Sequence, residues 1–200
     1  PEDQWIQLLR DLCDSTFRAW TTIGKSDDLM EEIFESFENA GFTILFFEEL
    51  ANFILDGCIT YLPPRIFREL VKTYIVTPEL QNRLEELICS LDIQSLDLDM
   101  AISLCTEYHL KDTLIYIWNH ALNDFITPLW DLFELIKKGD YEGDRVFPYI
   151  SYILTGRIYP TGMPFSTADE AFKARSYVYY LLFSSTNIVW PRGGSTLLTR

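Results

Sequence analysis

The 200 residues, 48% of them hydrophobic, suffice for a sizeable core in one or two domains. The formal net charge of −14 is uneven: residues 1–100 carry 20 acidic and 7 basic side chains, and residues 101–200 carry 10 and 9. An acidic chain of this kind repels phosphate backbones and anionic lipid, so nucleic-acid binding and direct adsorption to a membrane are disfavoured.

The Glu-rich faces read as solvated surface, with a docking surface for a basic partner as the alternative. FTILFF at 42–47 and YVYYLLF at 177–183 are too short to cross a bilayer, which takes about 20 residues, so no membrane span is expected. Pro-Glu-Asp at the start is not the basic-then-apolar order of a signal peptide, and the expectation is a soluble chain. Pro1 in place of a methionine suggests a piece of a longer protein. Cys13, Cys58, Cys89 and Cys105 include no close pair, so they read as small buried hydrophobes in a reducing compartment rather than as metal ligands.

Residues 2–22 form the first predicted helix, its apolar face led by Trp5, Leu8, Leu9, Leu12 and Phe17 and its end marked by Gly24. Ser26 caps the second, with Asp27 and Asp28 near its positive end, Leu29, Ile33, Phe34 and Phe37 as its stripe, and Gly41 just past it. The third, 43–56, is apolar almost all round, which predicts cover on most sides. CITYL at 58–62 runs into Pro63-Pro64 and reads as a connector. The fourth helix, 64–75, presents Ile66, Phe67, Leu70, Val71 and Tyr74.

Thr77-Pro78 opens the fifth, faced by Leu80, Leu84, Leu87, Ile88 and Leu91. Asp97 caps the sixth, 98–108, where Leu98, Ile102 and Cys105 align. The stretch 111–138 then reads as a helix pair, 112–122 and 128–138. Leu114, Trp118, Ala121 and Leu122 face inward from the first, and Leu129, Leu132, Phe133 and Ile136 from the second, with Thr127 as N-cap and Pro128 in the first turn. Gly139 and Gly143 mark a loop before a ninth helix, 145–155, bearing Phe147, Ile150 and Leu154. GRIYPTGMPFS at 156–166 cannot be regular helix, and Ser166 or Thr167 caps a last helix over 168–185.

Short helices alternating with tight corners predict an all-α fold: an α-solenoid of antiparallel helical hairpins, about ten helices in one run. Residues 1–185 are expected to form a single α-solenoid segment, and 186–200 a flexible tail.

No enzyme signal emerges from the residues. His109 and His120 lie on successive helices near Asp112, Asn119 and Asp124, but no third ligand or pocket points to metal or catalysis, so cap or surface roles are expected. Asp92, Asp97 and Asp99 lack the glycine and distal glutamate of a calcium loop. Gly156, Gly162 and Gly193-Gly194 match no phosphate or dinucleotide loop. The run Tyr177, Tyr179, Tyr180 and Phe183 is of a kind more often found in cores, yet tyrosines with a wet hydroxyl and an apolar ring are favoured in interfaces. Together with the 156–166 loop it is the first place to look for a partner surface, with Tyr159, Pro160, Phe165, Tyr177 and Tyr180 as candidate contacts.

FILDGCITYLPPRIFRELV at 53–71, LIYIWNHALNDFITPLWDLFELI at 114–136 and VFPYISYILTGRIYPTGMPF at 146–165 resemble the solenoid of the vacuolar protein sorting-associated protein 8 family. Members of that family are subunits of the CORVET endosomal tethering complex, with an N-terminal β-propeller and a C-terminal RING beside the solenoid. The resemblance implies a cytoplasmic protein recruited peripherally to early endosomes, with other tether subunits as partners and endosomal Rab GTPases engaged through the complex. It implies a rigid, monomeric scaffold with no catalytic residue, cofactor or metal, serving vesicle tethering and fusion in transport toward the vacuole or lysosome. A sister HOPS-type tether subunit, or a coat component of the clathrin-heavy-chain-repeat kind, shares the hairpin build and is the alternative.

Overall fold

The computed structural model describes residues 2–24 and 26–183; the expected tail, Gly193-Gly194 and the last turn expected up to residue 185 lie outside the described residues. Among the described residues there are ten α-helices, two short 3-10 turns and no strand, so the fold is all-α. The chain forms two compact units, Pro1–Leu110 and Lys111–Arg200.

The first unit holds α1 (Glu2–Ile23), α2 (Asp27–Asn39), α3 (Thr43–Leu55), α4 (Pro64–Tyr74), α5 (Pro78–Ser90), a 3-10 turn at Ile93–Ser95, and α6 (Leu98–Glu107). Each of α1 to α3 packs on the helix two places further along, and α2 and α4 also on the next, the sequential stacking of an α-solenoid. Its centre is aromatic. Phe17 and Phe34 lie 5.2 and 5.3 Å edge-on to Phe46, and Phe46 meets Phe47 at 5.3 Å. All four rings are fully buried, each contributing about 1.5–3 kcal/mol.

The helix starts are those the sequence predicts: the Ser26 and Thr77 hydroxyls accept from Leu29 N and Leu80 N, and the Asp97 carboxylate from Met100 N. All five residues expected on the face of α4 are buried. The acidic surface is partly neutralised from within. Arg65 of α4 reaches Glu31, Glu35 and Glu38, spaced one turn apart along α2, and Arg10 pairs with Glu48 and Glu49.

Four expectations fail in this unit, the first being Leu80 of the expected α5 face, which is 38% exposed. Trp5, Leu8 and Leu12 are 67%, 56% and 53% exposed; of the expected face only Phe17 is fully buried, and α1 buries Cys13 and Trp20 beside it. In α6 the buried residues are Ala101, Leu104 and Cys105, so its face is turned from the expected Leu98 and Ile102. Cys58 is exposed, because Gly57, at φ 70°, ends α3 and puts the next residue in the turn. The other three cysteines are buried, and desolvation pushes the Cys13 and Cys105 thiols up to about 12, where they are not nucleophiles.

The second unit holds α7 (Lys111–Ala121), α8 (Thr127–Lys137), a 3-10 turn at Tyr141–Arg145, α9 (Val146–Leu154) and α10 (Ala168–Phe183), again each packed on the next. Thr127 is not the N-cap of α8 but its first residue. The cap is supplied by Asp124: Oδ1 accepts from the Ile126 and Thr127 amides, both at 2.9 Å, and Oδ2 from the Thr127 hydroxyl at 2.7 Å. The helix faces differ too. α7 buries Thr113, Ile115, Ile117 and Asn119, not the expected Leu114–Trp118 row, and α9 buries Val146, Tyr149 and Ile153 while Phe147 is 69% exposed.

Candidate interaction site

The second unit is tied together by two polar networks, one buried and one half-buried. Tyr149 of α9 is fully buried, its hydroxyl 3.0 Å from the Phe125 carbonyl oxygen and 3.1 Å from Asn119 Oδ1. Burial pushes the Tyr149 phenol far above the ordinary tyrosine range, so it stays protonated. Asp112 at the start of α7 accepts from Arg145 Nε at 2.8 Å and from the Tyr159 hydroxyl at 2.6 Å, and Arg145 also pairs with Glu142. Asp112 and Tyr149 thereby fix α7 to α9 and to the segment that follows.

That segment, 156–166, is irregular as expected but closed on itself. Ile158 N donates to Met163 O and Gly162 N to Ile158 O, both at 2.7 Å, and Arg157 faces Pro164 across an isolated antiparallel bridge. Gly156 and Gly162, at φ 76° and 73°, supply the left-handed turns that this closure needs. Thr167 takes the cap of α10, its hydroxyl accepting from Glu170 N at 3.2 Å.

Loop 156–166, the C-terminal half of α7 and the first turn of α10 enclose a cleft of about 500 Å³. Phe125, Ile158 and Phe165 give it an apolar wall; Tyr116, Asn119 and His120 line it from α7, and Asp169, Glu170 and Lys173 from α10. Phe125 and Phe165 stand 6.0 Å apart, and Tyr116 lies 4.4 Å from His120 with the rings tilted by 40°. The His120 ring is thus part of the cleft wall rather than a cap or a surface group. Burial holds its pKa below the ordinary imidazole value against the opposing pull of Glu170. His109 is exposed, at φ 57° in the corner after α6. Among the described residues no group of three or more His, Cys, Asp or Glu side chains is placed to hold a metal ion.

The candidate contact residues are divided by the fold. Tyr159 is 4% exposed and held by Asp112, a core position. Phe165 is half-buried in the cleft wall, and Pro160 is half-buried beside Tyr159. Tyr177 and Tyr180 are 38% and 45% exposed on α10, which buries Ala171, Ala174, Val178, Leu181 and Leu182. The core reading of the aromatic run is therefore overturned, since Tyr179 and Phe183 also stand more than half exposed. The sequence analysis expects a cap or surface role for His120 and names Asn119 only as its neighbour. The usable signal was Asn119 itself, a lone amide among apolar helical positions.

Comparison with known proteins agrees with this architecture. The family model described as Vps8 central TPR matches residues 45–200. Vacuolar protein sorting-associated protein 8 of Saccharomyces cerevisiae is 36% identical over 171 residues, which is 80% of this chain and 13% of that protein. The Homo sapiens homolog is 29% identical over 150 residues, 69% of this chain, and the Drosophila melanogaster homolog 30% identical over 142 residues, 70% of it. The chain spans 10–13% of the length of these relatives. On the family match over 45–200, the chain belongs to the Vps8 family, in its central TPR region.

Proposed function

We propose that this chain is a scaffold segment of a multisubunit endosomal tethering complex of the CORVET type, acting in protein sorting toward the vacuole or lysosome. The observation that carries the reading is the match to the Vps8 central TPR over 45–200. The names of the relatives state vacuolar protein sorting, and stacked helical hairpins suit a part that spaces and holds other subunits. Exposed apolar side chains on α1 and α10 give such a part surfaces to hold with. In this reading the segment is not an enzyme, it is monomeric on its own, and it reaches early endosome membranes and their Rab GTPases through the assembled complex. No described helix is long and apolar enough to cross a membrane, which accords with peripheral attachment.

The test is a pull-down of this chain against purified tether core subunits and a GTP-loaded endosomal Rab, with Tyr177→Ala/Tyr180→Ala alongside. Capture of a core subunit, weakened by the double substitution at unchanged helicity, is the expected result. Self-association in sedimentation at micromolar concentration, with no subunit captured, would instead favour a cage-forming coat component.

A further inference from the structure

The cleft of the second unit contains an unmatched polar group. Asn119 is 2% exposed, lines the cleft, and its Nδ2 has no hydrogen-bond partner among the described residues. Re-orienting the amide does not remove the mismatch. The Tyr149 hydroxyl has one hydrogen and two neighbours, the Phe125 carbonyl, which can only accept, and Asn119. Given to Phe125, that hydrogen leaves the Tyr149 oxygen as acceptor for the Asn119 NH2, and the amide oxygen is then the group left over. In either orientation one end of a buried amide wants a partner, and an unmatched buried polar group costs about 1–3 kcal/mol.

Around that amide the cleft is built of two further kinds of surface. Phe125, Ile158 and Phe165 form an apolar wall, and two carboxylates, Asp169 and Glu170, stand exposed against the one ammonium of Lys173. The neutral imidazole of His120 adds no positive charge at pH 7. A volume of about 500 Å³ is the size of a few side chains, too small for a folded domain and too large for a bare ion.

We propose that this cleft binds an extended peptide segment of a partner protein that carries an arginine or lysine beside an apolar residue. The backbone of such a segment has both an N–H and a C=O, so it can satisfy Asn119 in either orientation of the amide. Its cation meets Asp169 and Glu170, and its apolar neighbour covers Phe125, Ile158 and Phe165. The two carboxylates select the basic residue of the segment, and the amide and the apolar wall select an extended form. The inference goes beyond the scaffold reading and does not depend on it.

The test titrates the full 200-residue chain with two fluorescein-labelled octapeptides, one with a central arginine between leucines and one with glutamate in its place, read by anisotropy and by NMR shifts. The arginine peptide is expected to bind and to shift resonances of Tyr116, Phe165 and Lys173, with the glutamate peptide at least about tenfold weaker. Asp169→Asn/Glu170→Gln, both exposed, should weaken the arginine peptide about tenfold at unchanged helicity, and Glu32→Gln, exposed on α2 outside the cleft, should not weaken it. Three outcomes overturn the proposal: no binding at millimolar peptide, equal binding of both peptides, or shifts confined to residues outside the cleft. Because this readout is independent of the tether pull-down, either reading can fail while the other stands.

Discussion

At the scale of single residues, the second unit is specified by polar side chains with several obligations each. Asp124 holds two amides and a hydroxyl, Asp112 a guanidinium and a phenol, and Tyr149 a carbonyl and an amide. Such groups stabilise less by their own bonds than by what their removal strands. Tyr149→Phe keeps the ring and its packing against Tyr159, 5.6 Å away and perpendicular, but leaves the buried Phe125 carbonyl and Asn119 without the hydroxyl. It is expected to lower unfolding free energy by about 1–3 kcal/mol in urea. Tyr179→Phe, at a position 61% exposed, should change it by no more than about 0.5 kcal/mol. Equal effects of the two would mean that the Tyr149 network contributes nothing.

At the scale of the element, most starts and stops were legible, and so was the face of α4, but the faces of α1, α6, α7 and α9 were not. Ser26, Thr77, Asp97 and the Gly41 and Gly57 ends follow from side-chain and backbone chemistry that acts within four residues, so the sequence carries them locally. The face of α9 does not: in VFPYISYIL nearly every residue is apolar, and Val146–Tyr149–Ile153 and Phe147–Ile150–Leu154 are both valid helical rows. Tertiary context chooses between them, because only the first puts a hydroxyl at the Phe125 carbonyl.

The cap of α8 was misread for a similar reason: a Thr-Pro pair fits a helix start, but Asp124, three residues earlier, reaches further. The cleft was legible only in part, since the 156–166 loop was singled out and Asp169, Glu170 and the amide of Asn119 were not. One close approach was also invisible in the sequence. A Cβ on Gly143 would lie 2.7 Å from both Ile136 N and Ile136 Cγ1, so the 3-10 turn sits against α8 with no room to spare. Gly143→Ala is therefore expected to cost about 1–3 kcal/mol in urea unfolding, and a neutral effect would show that the turn moves away from α8 without penalty.

At the scale of the whole molecule, the unusual feature is how much apolar surface the described residues leave open. In α1, Trp5, Leu8 and Leu12 lie within about 60° on the helix, and in α10 Phe172, Tyr179 and Phe183 lie within about 40°. All six are more than half exposed. A stripe of that kind adds nothing to the stability of a helix whose opposite face is already packed; its cost appears in solubility and its use in binding. The two effects separate experimentally. Phe172→Ser/Tyr179→Ser/Phe183→Ser removes apolar area that the folded chain does not bury, so the melting temperature should stay within about 2 °C while the concentration at which the protein precipitates rises. Capture of a tether subunit, if α10 is the surface that holds it, should fall in parallel. A drop of several degrees would show instead that the stripe is covered within the chain itself, and the surface offered to partners would then have to be sought on α1, where Trp5→Ser/Leu8→Ser/Leu12→Ser applies the same test.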